Sequence, residues 1–126
     1  MREGRWYLGL PGKASPELDR RLETILGTLN KISEQLLYFE QNLFNGALEA
    51  SLEKLASQLE EIWRMGVEPA YSYAEKARLL ARYVKAYRVR AEEFHTLRGL
   101  SSVRDDVLSH ISDIKAFING LRAYLR

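Results

Sequence analysis

Apolar side chains recur at alternating steps of four and three residues over the first third of this chain. The positions are Leu18, Leu22, Ile25, Leu29, Ile32, Leu36, Phe39 and Leu43. An average period of 3.5 residues keeps one narrow apolar seam facing a neighbouring helix, so this pattern predicts a long helix that packs against another helix. Ser15, Pro16 and Glu17 are typical of a helix start, and the helix is predicted to extend to about Phe44.

Three more seams of the same kind follow. They are Leu48, Leu52, Leu55, Leu59 and Ile62; then Tyr73, Ala77, Leu80, Val84, Tyr87, Ala91 and Phe94; then Val103, Val107, Ile111, Ile114, Ile118, Leu121 and Leu125. Asn45-Gly46 interrupts the phase between the first two seams. This pair indicates either a turn or a kink in one long helix, and its composition favours the turn.

The starts of the last two helices are predicted from their caps. Ser72 and Glu75 have the spacing of a capping box, although Pro69 is an alternative, earlier start for the third helix. Ser101 or Ser102 is predicted to cap the fourth helix.

The predicted fold class is therefore all-α. We expect an antiparallel four-helix, coiled-coil-like bundle over residues 15–126, preceded by a short non-helical N-terminal arm over residues 1–14. The first helix would be about 40 Å long and the second under about 30 Å. This difference predicts that part of the first seam is bare in a monomer, which favours a homo-oligomer or a larger protein assembly.

Composition narrows the class of protein. The chain has 126 residues, of which 46% are hydrophobic and 29% charged, as in an ordinary globular domain. The absence of cysteine excludes disulfides and cysteine-based metal sites. With no apolar run long enough for a membrane span and no secretory leader pattern, we expect a cytoplasmic location or one within a nucleoprotein particle. The small number of Asn and Gln residues and the abundance of charged residues favour a thermophilic source.

Charge is distributed unevenly. Residues 14–65 carry five Lys or Arg against nine Asp or Glu, and residues 66–126 carry eleven against seven. Six cations lie between Glu75 and Glu92 without an acid, and four of them share one sector of about 120° on a helix. These four are Arg78, Arg82, Lys85 and Arg88. Their stripe predicts a site for the phosphate backbone of RNA or DNA, without base-specific contacts.

Two other interpretations of this stripe stay open. It is also typical of a solvated helix face, or of a face that pairs within the molecule with the acidic side chains of the second helix. Those acids are Glu49, Glu53, Glu60 and Glu61. The tyrosines near the cations, Tyr71, Tyr73, Tyr83 and Tyr87, suit base stacking, but their positions on or beside the seam favour core packing.

The N-terminal arm combines basic and aromatic residues. Arg2 and Arg5 are candidate nucleic-acid-binding residues, and they lie beside Trp6 and Tyr7. Such an extension is suited to wrap a neighbouring subunit or a nucleic acid; the alternatives are a strap over one end of its own bundle and a frayed terminus, and the large apolar surface of Trp6 argues against fraying alone.

One element resembles a family of enzymes. Arg104-Asp105 followed by His110 is similar to the arginine–histidine element of the HEPN ribonucleases, which precedes the final helix of a helical bundle. The resemblance covers this element and the last helix alone, and it implies that Arg104 and His110 would engage phosphate and transfer protons. Glu92 and His95 have the spacing of half a di-iron site, but no second copy or inward carboxylate accompanies them, so no metal and no cofactor is expected.

The favoured hypothesis is a non-enzymatic structural subunit of a larger complex that binds nucleic acid backbone without sequence specificity. In size, helicity and charge the chain is similar to small subunits of RNA-guided effector complexes and to nucleocapsid proteins of archaeal filamentous viruses. The alternatives are a purely protein–protein interaction module and a HEPN-like ribonuclease. Neither a small-molecule substrate nor a membrane is expected as a partner.

Overall fold

The computed structural model describes residues 15–125, and within them helices are the only regular secondary structure. The helices are α1 (Pro16–Leu37), α2 (Phe39–Phe44), α3 (Ala47–Arg64), α4 (Ala70–Phe94) and α5 (Leu100–Leu125). Over this stretch no helix is both long and apolar enough to cross a membrane. The arm predicted over residues 1–14 lies outside the described residues, so the division into arm and bundle stays a prediction.

Helix α1 begins where its sequence predicts. Ser15 is the N-cap, and its Oγ accepts a hydrogen bond of 3.0 Å from the backbone N–H of Leu18. All eight apolar residues of the first seam are buried by the chain itself. The expectation of a bare seam was therefore wrong. That expectation compared the length of the first helix with that of the second helix alone. In the structure α5, with 26 residues, also packs along α1.

The long first helix is divided at Tyr38, which the hydrophobic pattern did not predict. Tyr38 has φ −119° and ψ 56°, so it ends α1 and precedes the six-residue α2. The Asn42 side chain donates hydrogen bonds to the carbonyl oxygens of Gln35 (3.1 Å) and Tyr38 (3.0 Å). These bonds satisfy carbonyls at the helix end. Because Phe39 and Leu43 remain buried, the seam continues across the break and conceals it.

The prediction of a turn at Asn45-Gly46 is confirmed. Gly46 has φ 80°, and the side-chain oxygen of Asn45 accepts a hydrogen bond of 2.8 Å from the N–H of Ala47. Beyond this turn α3 packs on α1, and an ion pair of 2.6 Å links Arg21 to Glu61 near the end of α3.

The conformation of Gly46 leads to a test of this turn. Gly46→Ala is expected to lower the free energy of unfolding by about 1–2 kcal/mol, because a side chain disfavours positive φ. Gly27→Ala is the matched control: Gly27 lies inside α1 with open space around it, so alanine should stabilise the protein by up to about 1 kcal/mol. Urea unfolding measures both changes, and a stabilising Gly46→Ala would contradict the turn geometry.

The starts of α4 and α5 differ from the predicted caps. The third helix begins at Ala70, immediately after Pro69, so the capping box was wrong and the alternative start is close to the observed one. Ser72 lies within α4, where its Oγ donates to the carbonyl oxygen of Pro69 (3.1 Å). Helix α4 ends at Phe94, its C-cap His95 has φ 50°, and α5 begins directly after Gly99, which has φ 82°. The two serines predicted as caps therefore lie inside α5.

The four long helices share one core. The second seam is fully buried, and so are the isoleucines of the fourth. The buried face of α4 is rich in alanine, which lets it lie close to α3, and these two helices form the most extensive contact in the described part of the chain. The contact between α4 and α5 is much less extensive, and a groove follows their junction. Phe94, predicted as a seam residue, is instead 65% exposed.

Candidate nucleic-acid interface

Two residues of the predicted basic stripe form ion pairs within the molecule. The guanidinium group of Arg78 contacts Glu60 of α3 at 2.7 Å and Glu75 at 2.8 Å. Arg88 contacts Glu49 of α3 at 3.1 Å and Glu92 at 3.6 Å. Intramolecular pairing with the acidic helix is thus the observed state of these two arginines.

The other two stripe residues are exposed. Within residues 15–125, Arg82 and Lys85 form no ion pair, and neither does Arg90 one turn further on. These three cations line a shallow cavity of about 480 Å³ together with Val89, Phe94 and one exposed acid, Glu93. We call these six residues the α4 outer face. Its three cations outnumber its one acid, so it is a positively charged surface that also includes two apolar side chains.

Arg90 was not among the candidate site residues chosen from the sequence. It lies about 80° around the helix from Arg82, outside the sector that defined the stripe. The run of six cations without an acid did include it, and this run was the better indication of the charged surface.

An aromatic cavity adjoins the α4 outer face near the end of α4. Its volume is about 590 Å³, and its lining includes Tyr83, Tyr87, Phe94 and Arg90. The hydroxyl of Tyr87 donates to the carbonyl oxygen of Arg98 (3.0 Å). This hydrogen bond holds the Tyr87 ring in place, and the cavity leaves part of each aromatic side chain that lines it accessible.

Tyr83 is held at the edge of this cavity by a second helix. Its hydroxyl donates to a carboxylate oxygen of Asp106 on α5 at 2.9 Å. Partial burial, together with this hydrogen bond, raises the pKa of Tyr83 above its ordinary value of 10, so the phenol keeps its proton at neutral pH.

Core packing is the observed role of Tyr73, which stacks on Phe117 with ring centroids 4.3 Å apart, whereas Tyr71 is exposed.

Other predicted candidates are not brought to this surface. Arg2 and Arg5 lie outside the described residues. The exposed Arg104 donates to Asp105 at 3.3 Å, while His110 lies in the groove between α4 and α5 beside Asp106. Arg104 and His110 are about 120° apart on the helix, which does not direct both at one phosphate. The described chain contains no group of three or more metal-ligating side chains arranged to hold an ion.

Comparison with protein-family models, with curated proteins and with solved structures finds no match for this chain.

Proposed function

We propose that this chain is a non-enzymatic assembly subunit that binds the backbone of nucleic acid, without sequence specificity, through the α4 outer face. The observation that carries the proposal is the exposure of Arg82, Lys85 and Arg90 with no ion pair among the described residues. Unpaired cations along one helix attract phosphates and release the counterions that those phosphates hold. Arg78 and Arg88 contribute less to binding in this proposal, because carboxylates of α3 already neutralise them.

The aromatic side chains beside these cations favour single-stranded nucleic acid. Phe94 is 65% exposed, and Tyr83 and Tyr87 line the adjoining cavity. Proteins that bind single strands without sequence preference combine a basic path for the backbone with aromatic rings on which bases stack. Both parts of that arrangement are adjacent on α4.

The finer architecture and the setting belong to the same proposal. Arg21 near the start of α1 contacts Glu61 near the end of α3, and Asp19 contacts Arg122 near the end of α5. These contacts support an antiparallel, coiled-coil-like bundle of the four long helices, with α2 as a short insertion. Homo-oligomerisation, and a location in the cytoplasm or within a nucleoprotein particle, remain proposals with it.

Arg82→Glu is expected to weaken binding of a fluorescent single-stranded oligonucleotide about tenfold at low salt, because it replaces a phosphate contact with a repulsive charge. Three phosphate contacts predict a slope of log affinity against log salt near about −2, and the substitution should make it shallower by about 0.7. Fluorescence anisotropy at 50 to 200 mM salt measures both quantities. Lys31→Glu makes the same change of charge at an exposed position of α1 and should have little effect.

Three outcomes would overturn this proposal. They are no binding at low salt, equal weakening by Arg82→Glu and Lys31→Glu, and cleavage of an RNA oligonucleotide that stops in a His110→Ala variant. The last would establish the ribonuclease alternative.

A purely protein–protein module is the second candidate function. It is favoured by large apolar side chains that are exposed along α4, namely Leu79, Val89 and Phe94. Exposed apolar patches of this kind mark interfaces with other proteins. Absence of oligonucleotide binding, together with self-association seen by light scattering that Val89→Glu abolishes, would favour this candidate.

A further inference from the structure

The junction of α4 and α5 contains a groove along most of its length. Three adjoining cavities occupy it, of about 590, 680 and 590 Å³. The first lies between the start of α4 and the end of α5, where Tyr73 stacks on Phe117. The largest lies in the middle, and its lining residues include Tyr71, Leu79 and Tyr83.

The middle of this groove is apolar and accessible. Leu79 is 59% exposed, and Tyr71 and Tyr83 are 47% and 40% exposed. Three large side chains that leave so much apolar surface in one concavity are a favourable site for another apolar segment.

The first two cavities of the groove have an acidic rim. Glu75, Asp106 and Asp113 line these two cavities, against one lysine, Lys76, whereas the third cavity is lined by Arg90 and Arg98. Glu75 also pairs with Arg78, but within residues 15–125 the Asp106 carboxylate bonds only to the phenol of Tyr83, and the oxygen of Asp113 is 4.0 Å from Lys76. The first two cavities of the groove therefore suit a segment that is both apolar and basic.

The N-terminal arm has this chemistry. Residues 1–13 carry three Lys or Arg against one Glu, and they include the apolar run Trp6-Tyr7-Leu8 followed by Leu10. We propose that residues 6–10 of the arm dock in the α4–α5 groove of their own chain. This inference is independent of nucleic-acid binding and goes beyond it.

The point of attachment supports docking within one chain. Near the start of α1, Asp19 contacts Arg122, which lies near the end of α5. The groove opens at that same end of α5, beside Phe117. The arm thus joins the bundle at the end where the groove begins.

The length of the arm is sufficient. From Pro69 to Leu79 the groove extends about 15 Å along α4, at 1.5 Å per residue, and the arm must first pass α5, which adds about 10 Å because α1 packs on α5. Trp6 precedes Ser15 by nine residues, which span up to about 30 Å when extended. A tether this short gives the arm an effective concentration in the millimolar range, so it outcompetes the same segment of a second copy at micromolar protein.

Limited trypsin digestion of the full chain, without nucleic acid, tests the proposal. Docking of residues 6–10 should protect the Arg5–Trp6 bond, and Leu79→Arg should speed its cleavage about tenfold by removing an apolar contact and repelling the basic arm. Leu37→Arg is the matched control, because Leu37 is an exposed leucine at the end of α1. Mass spectrometry of the early fragments gives the rates.

A second measurement does not depend on proteolysis. In a Trp63→Phe chain, Trp6 is the only tryptophan, and docking should shield its fluorescence from iodide several-fold relative to a synthetic peptide of residues 1–13. Leu79→Arg in that background should remove the shielding, and Leu37→Arg should not.

The proposal is overturned if the bond after Arg5 is cut in the wild-type chain as fast as in the free peptide. It is also overturned if Leu79→Arg and Leu37→Arg behave alike. Protection that grows with protein concentration would assign the groove to the arm of a second copy and would contradict docking within one chain. None of these outcomes bears on whether the α4 outer face binds an oligonucleotide.

Discussion

Leu29→Ala is expected to lower the free energy of unfolding by about 2–5 kcal/mol, because it opens a cavity in the core. Leu29 is 0% exposed within the chain itself. Leu37→Ala, the same change in the same helix, should alter stability by less than about 0.5 kcal/mol because Leu37 is 78% exposed. Both substitutions replace leucine by alanine in the same helix, so the difference between their effects on stability measures the contribution of burial.

Urea unfolding at several protein concentrations measures this difference. Because the described chain covers its own first seam, the loss caused by Leu29→Ala should be the same at every protein concentration, whether or not the folded chains associate. A midpoint that rises with concentration would mean that a second copy contributes to the stability of the fold. Similar losses for the two variants would show that Leu29 is not enclosed as the structure describes.

Arg88→Met is expected to destabilise the protein by about 1–3 kcal/mol, because it leaves the carboxylate of Glu49 poorly solvated and without its partner. The side chains of Arg88 and Glu49 are 22% and 17% exposed, so water compensates only in part. Arg82→Met, in the same helix, should change stability by less than about 0.5 kcal/mol. The comparison separates an arginine that holds two helices together from one that is available to a partner.

A double-mutant cycle tests the pair directly. Glu49→Gln removes the charge that Arg88→Met would strand, so the double variant should be more stable than the sum of the single changes predicts, by about 1 kcal/mol or more. Chemical denaturation of the four proteins gives the coupling. Strict additivity, or equal losses for Arg88→Met and Arg82→Met, would show that the contact between α3 and α4 has no energetic importance.

The local pattern of apolar and polar residues was sufficient to predict the helices and most of the core residues. The seams of α1, α3 and α5 lie where their spacing predicts, since a helix has a fixed number of residues per turn and a buried face must repeat with it. Ser15 and the turn at Gly46 were equally local, because a cap bond and a positive φ involve only neighbouring residues. The break at Tyr38 was not predicted. The carbonyls at the break are satisfied by the side chain of Asn42, and this polar residue leaves the apolar spacing unchanged.

The sequence by itself determined that this chain is helical, which residues are apolar on each helix, and that α4 concentrates positive charge. Only the tertiary structure decided which of those charges remain available. Arg88 meets Glu49 across 39 positions of the chain and Arg78 meets Glu60 across 18, so no periodicity within α4 could separate them from Arg82. The α4–α5 groove has the same origin, because the alanine face of α4 brings it close to α3, while its contact with α5 stays limited. Helical period is a property of one segment, whereas ion pairs and grooves depend on how separate segments meet.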